Sequence, residues 1–157
     1  MQMIEMNQDD FSVFKARSIR NLATQRSEDF GENQDTALGE AQKIFDQHLP
    51  TGLQTANHYF YHIKNDQLQT CGYLWFGERD QDGKRKIFIY DILVEENFRG
   101  NGFGKWMLQW LEQETLKLNL QEISLHVLAY NHVARGLYES MGFEMTNIYM
   151  SKKISPR

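Results

Sequence analysis

Residues 92–105 read ILVEENFRGNGFGK, an apolar strand that runs into a glycine-spaced turn and then into the start of an amphipathic helix. Helix starts carry backbone N–H groups without partners and the positive end of the peptide dipole. Glycines at alternate positions remove the side chains that would hold a phosphate group away from those N–H groups. The stretch therefore predicts an anion site that suits a pyrophosphate, although a tight turn without any ligand would also use glycine.

Two common nucleotide-binding patterns do not fit this turn. A dinucleotide fingerprint requires G-x-G-x-x-G, but Lys105 or Met107 stands at the last position, depending on which glycine opens the count. A P-loop requires serine or threonine after G-K and a glycine at its first position, and the chain has Trp106 and Arg99 there. Both nucleotide classes are therefore excluded.

The remaining pattern, Arg99-x-x-Gly102-x-Gly104, resembles the coenzyme A signature of the GCN5-related N-acetyltransferases (GNAT), where it joins the fourth strand to the following helix. A second block, residues 131–143 (NHVARGLYESMGF), resembles the family's N-x-x-A-x-x-x-Y-x-x-x-G-F block. The two blocks stand in the family's order, and the resemblance covers most of residues 55–150. Glu96 departs from it, since many relatives have proline before the arginine.

The resemblance implies the GNAT acyl-CoA N-acyltransferase fold, an α/β (α+β) architecture in which a mixed six- to seven-stranded sheet is flanked by about four helices. It implies acetyl-CoA (coenzyme A) as the acyl donor, with its pantetheine arm between two splayed strands and its pyrophosphate on the glycine turn. Asn131 would contact the same arm, although it also stands where a helix N-cap belongs. The implied cofactor-binding residues are Leu93, Val94, Arg99, Gly100, Asn101, Gly102, Phe103, Gly104, Lys105 and Asn131.

Tyr138 and Asp91 are the candidate catalytic residues. By the resemblance, the Tyr138 phenol would protonate the departing coenzyme A thiolate, but helical spacing also fits a tyrosine that is merely packed. Asp91 is the one charged residue between Ile87 and Val94, so it is either a base for an amine substrate or a paired structural acid. Glu95 and Glu96 rank second as bases and are expected to be solvated loop charges.

Composition restricts the class of protein. A chain of 157 residues with 41% hydrophobic residues fits one domain, 1–157, with one core. A net charge of −4 argues against a general nucleic-acid partner. The polar, acidic start and the lack of a long apolar run predict a cytoplasmic protein with no membrane partner. Cys71 is predicted to be a small buried strand residue, and the spacing of the histidines supports no metal site.

Periodicity predicts the elements in the order β-α-α-β-β-β-α-β-α-β. Three central strands, at 59–63, 68–76 and 86–94, should form an antiparallel meander with turns at 64–66 and 77–84. A helix should follow the glycine turn, and a further strand and helix are expected at 122–128 and 133–141. The last strand is predicted at 148–154.

Three functions from different classes remain open. The first is an N-acetyltransferase that moves acetyl from acetyl-CoA to a primary amine of a small molecule or peptide in a direct ternary complex. The second is an acyl-CoA-binding regulatory module with little or no turnover. The third is an interaction module that kept the fold, and the presence of Arg99, Gly102 and Gly104 argues against it. The amine and the acyl chain length are not predicted, and a homodimer stays open.

Overall fold

The computed structural model describes residues 1–156. Short 3₁₀ turns lie at Gly52–Gln54 and Glu96–Phe98. The helices and longer strands follow the chain as β1 (Gln2–Glu5), α1 (Gln8–Phe30), α2 (Gln34–His48), β2 (His58–Lys64), β3 (Thr70–Gln81), β4 (Lys84–Val94), α3 (Phe103–Lys117), β5 (Ile123–Leu125) and α4 (His132–Ser140). Residues 1–126 form one compact unit, and the residues from Val127 onward form a second. The single domain 1–157 stays a prediction.

The sheet has five strands in the order β1-β2-β3-β4-β5. Strands β1 to β4 pair antiparallel, and β5 pairs in parallel with β4, which confirms the mixed sheet and the central meander. The predicted number of six to seven strands is wrong for the described residues. The strand expected at 148–154 does not form, and Ile148, Met150 and Ile154 are 73%, 86% and 85% exposed. Without a pairing partner or apolar burial, nothing offsets the entropy that ordering this segment would cost.

The α1–α2 pair covers one face of the sheet because its apolar stripes meet alternate strand residues. Phe11 and Phe14 of α1 lie with their ring centroids 4.9 Å from Phe60 and 5.0 Å from Tyr73, respectively. Trp75 belongs to the same buried cluster, as do residues of α2. Successive strand residues point to opposite faces, so Tyr73 and Trp75 share this face. Helix α3 packs beneath β4 on the other side, with Met107, Leu108 and Leu111 almost fully buried.

The β3–β4 hairpin is longer than the sequence predicts. Its strands pair as far as Gln81 and Lys84, so the expected turn at 77–84 shrinks to Asp82 and Gly83. Both residues have positive φ, at 55° and 77°, the conformation of a two-residue turn that matches the twist of the strands. An Asp-Gly pair adopts it readily, and the flanking polar residues therefore extend the strands.

Cys71 lies on β3 with no exposed surface, and its Sγ is 3.3 Å from the Gln69 carbonyl oxygen. The prediction of a small buried strand residue is confirmed. Within residues 1–156, no helix combines the length and apolar character needed to cross a membrane.

Candidate functional site

The carboxyl end of β4 extends beyond its parallel neighbour. In the part of the chain that the structure describes, the β4–β5 ladder ends at Ile89 and Leu125, whereas β4 continues to Val94. Beyond Ile89 the ladder partners of β4 lie on β3, with Leu93 opposite Tyr73. The parallel pairing thus stops where β5 ends, and one edge of the β4 backbone beyond Ile89 has no strand partner among the described residues. The splaying of two strands around a ligand stays a prediction.

The glycine turn has the backbone conformation that its sequence requires. Gly100 and Gly102 have φ values of +78° and +83°, in the left-handed region that disfavours other residues. A Cβ atom built on either glycine would meet no atom within 4 Å. The chain conformation thus demands glycine at both positions, and the space beside the turn is open to a ligand.

Helix α3 begins without a side-chain cap. The other three α-helices of the described chain are preceded by the N-cap residues Asn7, Asn33 and Asn131, and each of these side chains accepts a hydrogen bond from a backbone N–H of the first turn. The corresponding residue of α3 is Gly102, which has no side chain to do so. The first N–H groups of α3 are therefore available to an external acceptor, at the positive end of the helix dipole.

Two side chains brace this turn from within. The Arg99 Nε donates to the Val94 carbonyl oxygen at 3.0 Å, which connects the turn to the end of β4. The Asn101 Nδ2 donates to the carbonyl oxygens of Phe98 and Arg99, at 3.2 and 3.1 Å. The Asn101 side-chain amide thus stabilises the turn, and only the backbone of Asn101 remains as a candidate ligand contact.

Asp91 is partly buried on β4 and has two side-chain donors. The Tyr73 hydroxyl and the Ser18 hydroxyl both donate to its Oδ2, at 3.1 and 3.4 Å. Burial raises the pKa of Asp91, while these hydrogen bonds and the charge of Arg17 act in the opposite direction. Neither donor was predicted from the sequence. One signal for them was available, because Ser18 is a polar residue on the apolar stripe of α1.

Glu95 is not the solvated loop charge that the sequence predicts. Arg17 of α1 donates from Nη1 to Oε1 and from Nη2 to Oε2 of Glu95, the second at 3.1 Å. The hydrogen bonds from Arg17 lower the pKa of Glu95, and those to Glu95 raise the pKa of Arg17. The expectation failed because the partner lies 78 residues earlier in the chain, beyond the reach of local patterns.

Asn131 and Tyr138 belong to the second unit, on either end of α4. The Asn131 Oδ1 accepts from the Ala134 N–H at 3.2 Å, so this residue is the N-cap that its position suggests. Tyr138 is 9% exposed, and its ring centroid lies 5.6 Å from that of Phe143. Both candidate roles from the sequence, capping and packing, are thus seen in the structure, and the cofactor and acid roles remain predictions.

The histidines make no metal cluster among residues 1–156, where no three His, Cys, Asp or Glu side chains could hold an ion. His58 packs against Trp75, and its Nδ1 accepts a hydrogen bond from the Trp75 indole N–H at 3.0 Å. Burial lowers the pKa of His58.

Comparison of the chain with known proteins identifies the family to which it belongs. The model of the acetyltransferase (GNAT) family matches residues 18–143. YdgE of Bacillus subtilis (strain 168), named an uncharacterized N-acetyltransferase, is 33% identical over 150 residues, which cover 96% of each chain. YycN of the same strain, also named an uncharacterized N-acetyltransferase, is 36% identical over 114 residues, or 73% of each chain.

Solved structures agree. The crystal structure of YycN, a putative acetyltransferase from Bacillus subtilis, has a TM-score of 0.89 and 29% identity over 99% of both chains. AAC(6')-Iy, in complex with the bisubstrate analog CoA-S-monomethyl-acetylneamine, has a TM-score of 0.61 over 99% of this chain and 98% of that one. At 16% identity, the second likeness concerns the fold alone. From the family match and the relatives together, the chain belongs to the GNAT family and is an acetyltransferase.

Proposed function

We propose that this acetyltransferase uses acetyl-CoA as donor and transfers its acetyl group to a primary amine of a small molecule or peptide, by direct attack in a ternary complex. The observation that carries the proposal is the uncapped start of α3 beside an open glycine turn, at the end of β4, where this strand extends past its parallel neighbour β5. Acetyl-CoA supplies a pyrophosphate for the turn, an arm with amide groups for the strand edge, and a thioester as the reactive group.

The residues of the turn and strand would bind the donor by different forces. Backbone N–H groups between Gly100 and Lys105 would donate to the pyrophosphate oxygens, since anions are favoured at a helix start. Arg99 would add charge-assisted hydrogen bonds from the Nη atoms, because its Nε is already used by the Val94 carbonyl. Backbone groups of Leu93 and Val94 would pair with the pantetheine arm as an added strand would.

The remaining roles concern protons. Asp91 would accept a proton from the acceptor amine as the new nitrogen–carbon bond forms and the carbon–sulfur bond breaks. Tyr138 would donate its phenolic proton to the sulfur that leaves. The role of Tyr138 and the cofactor contact of Asn131 rest on the family motif alone. The named ligand of AAC(6')-Iy, a CoA-containing bisubstrate analog, supports coenzyme A chemistry in this fold.

The donor site is tested by calorimetry of acetyl-CoA binding to Gly102→Glu. The substitution places bulk and negative charge at the turn, so we expect binding to weaken at least tenfold. Gly83→Glu is the matched control, because Gly83 also has a positive φ, of +77°, and a Cβ atom there would meet no atom within 4 Å. It introduces the same charge and the same backbone strain away from the turn. Equal affinities in both variants and the parent would exclude the proposed donor site.

The acceptor is tested by a screen of polyamines, amino acids, aminoglycosides and peptide N-termini, with release of free coenzyme A as the readout. We expect at least one amine class to be acetylated. Tight acetyl-CoA binding without turnover on any amine would instead select a regulatory module that binds acyl-CoA.

A further inference from the structure

Helix α1 contacts the candidate base directly. Ser18 is 4% exposed, on the side of α1 that carries Phe11 and Phe14, and its hydroxyl reaches the Asp91 Oδ2. The Tyr73 hydroxyl of β3 donates to the same oxygen atom, and Tyr73 is also buried, at 4% exposed. Burial and the neighbouring Asp91 charge both raise the pKa of Tyr73, so the phenol keeps its proton and remains a donor.

A bulge in β4 directs Asp91 toward α1. Asp91 lies opposite Trp75 in the β3–β4 ladder, but the next pair joins Ile89 to Phe76, so Tyr90 has no register partner. The extra residue allows Tyr90 and Asp91 to face the same layer. The Tyr90 ring stacks on that of Trp75 at 4.7 Å, and Trp75 packs against the helices of that layer.

An ion pair joins the same turn of α1 to the residue that follows β4. Arg17 precedes Ser18, and both of its terminal nitrogens donate to Glu95. The Arg17 guanidinium also lies 5.7 Å from the centroid of the Tyr73 ring. Because Arg17 and Glu95 form a bidentate pair, the Glu95 carboxylate compensates the positive charge that Arg17 places next to Asp91.

From this arrangement we propose that Ser18 and Tyr73 are positioning residues that hold the Asp91 carboxylate, and that the Arg17–Glu95 ion pair sets the charge around it. The proposal rests on Asp91 as the base of the proposed reaction, and it makes α1 part of the catalytic centre. The surrounding groups that bear on the Asp91 charge are Tyr73 from β3, Ser18 and Arg17 from α1, and Glu95 beyond β4.

The arrangement predicts opposite effects for two substitutions. Tyr73→Phe removes a hydrogen bond to the ionised carboxylate, so the pKa of Asp91 should rise. Glu95→Gln removes a negative charge and frees the charge of Arg17, so the pKa of Asp91 should fall. Ser18→Ala should act in the same direction as Tyr73→Phe, with a smaller effect because its hydrogen bond is longer.

The experiment is a ¹³C NMR titration of the full-length protein labelled at the aspartate carboxyl carbons, with Asp91→Asn to identify the resonance. It needs neither acetyl-CoA nor an acceptor. Tyr59→Phe is the matched control, because the Tyr59 hydroxyl donates to the Glu78 carboxylate at 3.1 Å in the same sheet. We expect the control to leave the Asp91 titration unchanged, and Tyr73→Phe and Glu95→Gln to move it to higher and lower pH. An Asp91 titration that neither substitution moves would overturn the proposal.

The pH–rate profile provides a second readout, measured with acetyl-CoA and an amine found in the screen. Its ascending limb should shift to higher pH in Tyr73→Phe and to lower pH in Glu95→Gln, and a purely structural role would produce neither shift. If Asp91 is not the base, Asp91→Asn retains the parent profile. That result would exclude Asp91 as the base. The NMR titration would still test whether Ser18, Tyr73 and the Arg17–Glu95 pair set the ionisation of the Asp91 carboxylate.

Discussion

At the scale of single residues, Asp91 pairs with neutral donors rather than with a buried cation of its own. Asparagine at this position retains an oxygen that can accept from Tyr73 and Ser18. Burial raises the pKa of Asp91 above its value in the unfolded chain, which is about 3.9. As the pH rises from the unfolded pKa past the folded pKa, ionisation of the buried carboxylate therefore lowers the stability of the folded protein. Loss of the charge should therefore do no harm near neutral pH.

We predict that Asp91→Asn raises the melting temperature relative to the parent, and that this advantage grows from acidic to neutral pH. Asp46→Asn is the control of opposite sign, because hydrogen bonds from Lys15 and Gln42 lower the pKa of Asp46. The Asp46 carboxylate therefore stabilises the folded protein at neutral pH, and this stabilisation is lost on acidification. Calorimetric melting of both variants across this range checks the prediction, and a fall in melting temperature for Asp91→Asn near neutral pH would contradict it.

The acid role of Tyr138 is tested by removing the hydroxyl group alone. If the phenol protonates the leaving thiolate, Tyr138→Phe should lower kcat by about 10²-fold or more and leave the dissociation constant of acetyl-CoA nearly unchanged. The phenylalanine ring keeps the contact with Phe143, so the loss of stability should be about 1 kcal/mol at most. Steady-state kinetics and calorimetry separate the two effects. Unchanged turnover at saturating acceptor would leave Tyr138 with a packing role.

At the scale of elements, the end of β4 depends on a close approach by β3. A Cβ atom on Gly72 would lie 2.1 Å from the Leu93 carbonyl oxygen, a backbone atom that cannot move independently. Gly72→Ala must therefore separate the strands at Leu93 and Val94. We predict a loss of about 3 kcal/mol of stability together with weaker binding of acetyl-CoA.

Gly83→Ala is the control for this prediction. Its φ of +77° gives strain without any steric contact, so it should cost about 1 kcal/mol and leave acetyl-CoA binding unchanged. Chemical denaturation and calorimetry on the two variants measure both quantities. Equal affinity for acetyl-CoA in Gly72→Ala and Gly83→Ala would show that the end of β4 is not part of the donor site.

Local patterns explain why some elements were predictable and others were not. The alternation of apolar residues in β2 to β4 predicted the meander, since each of these strands packs against helices on at least one face. The same reasoning ended β3 at Phe76, because the polar residues 78–81 carry no burial signal and are held by the Asp82–Gly83 turn. Local patterns did not identify the donors to Asp91, because Ser18 and Tyr73 are far from it in sequence, and the position of Ser18 on the apolar stripe of α1 was the one signal available.

At the scale of the whole molecule, two short blocks predicted the family and the fold class, and both are confirmed. Backbone requirements explain the success at the first block, where the φ values of Gly100 and Gly102 demand glycine. The number of strands was too high, since a sequence pattern such as Ile148-x-Met150 describes a strand's side chains but not the neighbour it must pair with.

We predict that hydrogen exchange will divide the chain accordingly. Amides of β3 should be the slowest, because this strand pairs on both sides and is buried without interruption from Cys71 to Gly77. Amides of residues 144–156 should exchange at rates close to those of an unfolded chain, as they lack regular structure and are exposed. Mass spectrometry on peptide fragments resolves both regions. Slow exchange around Ile148 and Met150 would restore the last strand that the sequence predicts.

The burial of Cys71 has a practical consequence for labelling chemistry. The chain has one cysteine, and its thiol is inaccessible in the folded protein. A chromogenic disulfide reagent should therefore react with coenzyme A released during turnover while the native enzyme contributes almost no colour. On global unfolding the same reagent should modify one equivalent of protein thiol, so that a single assay chemistry reports catalysis when the chain is folded and denaturation when it is not.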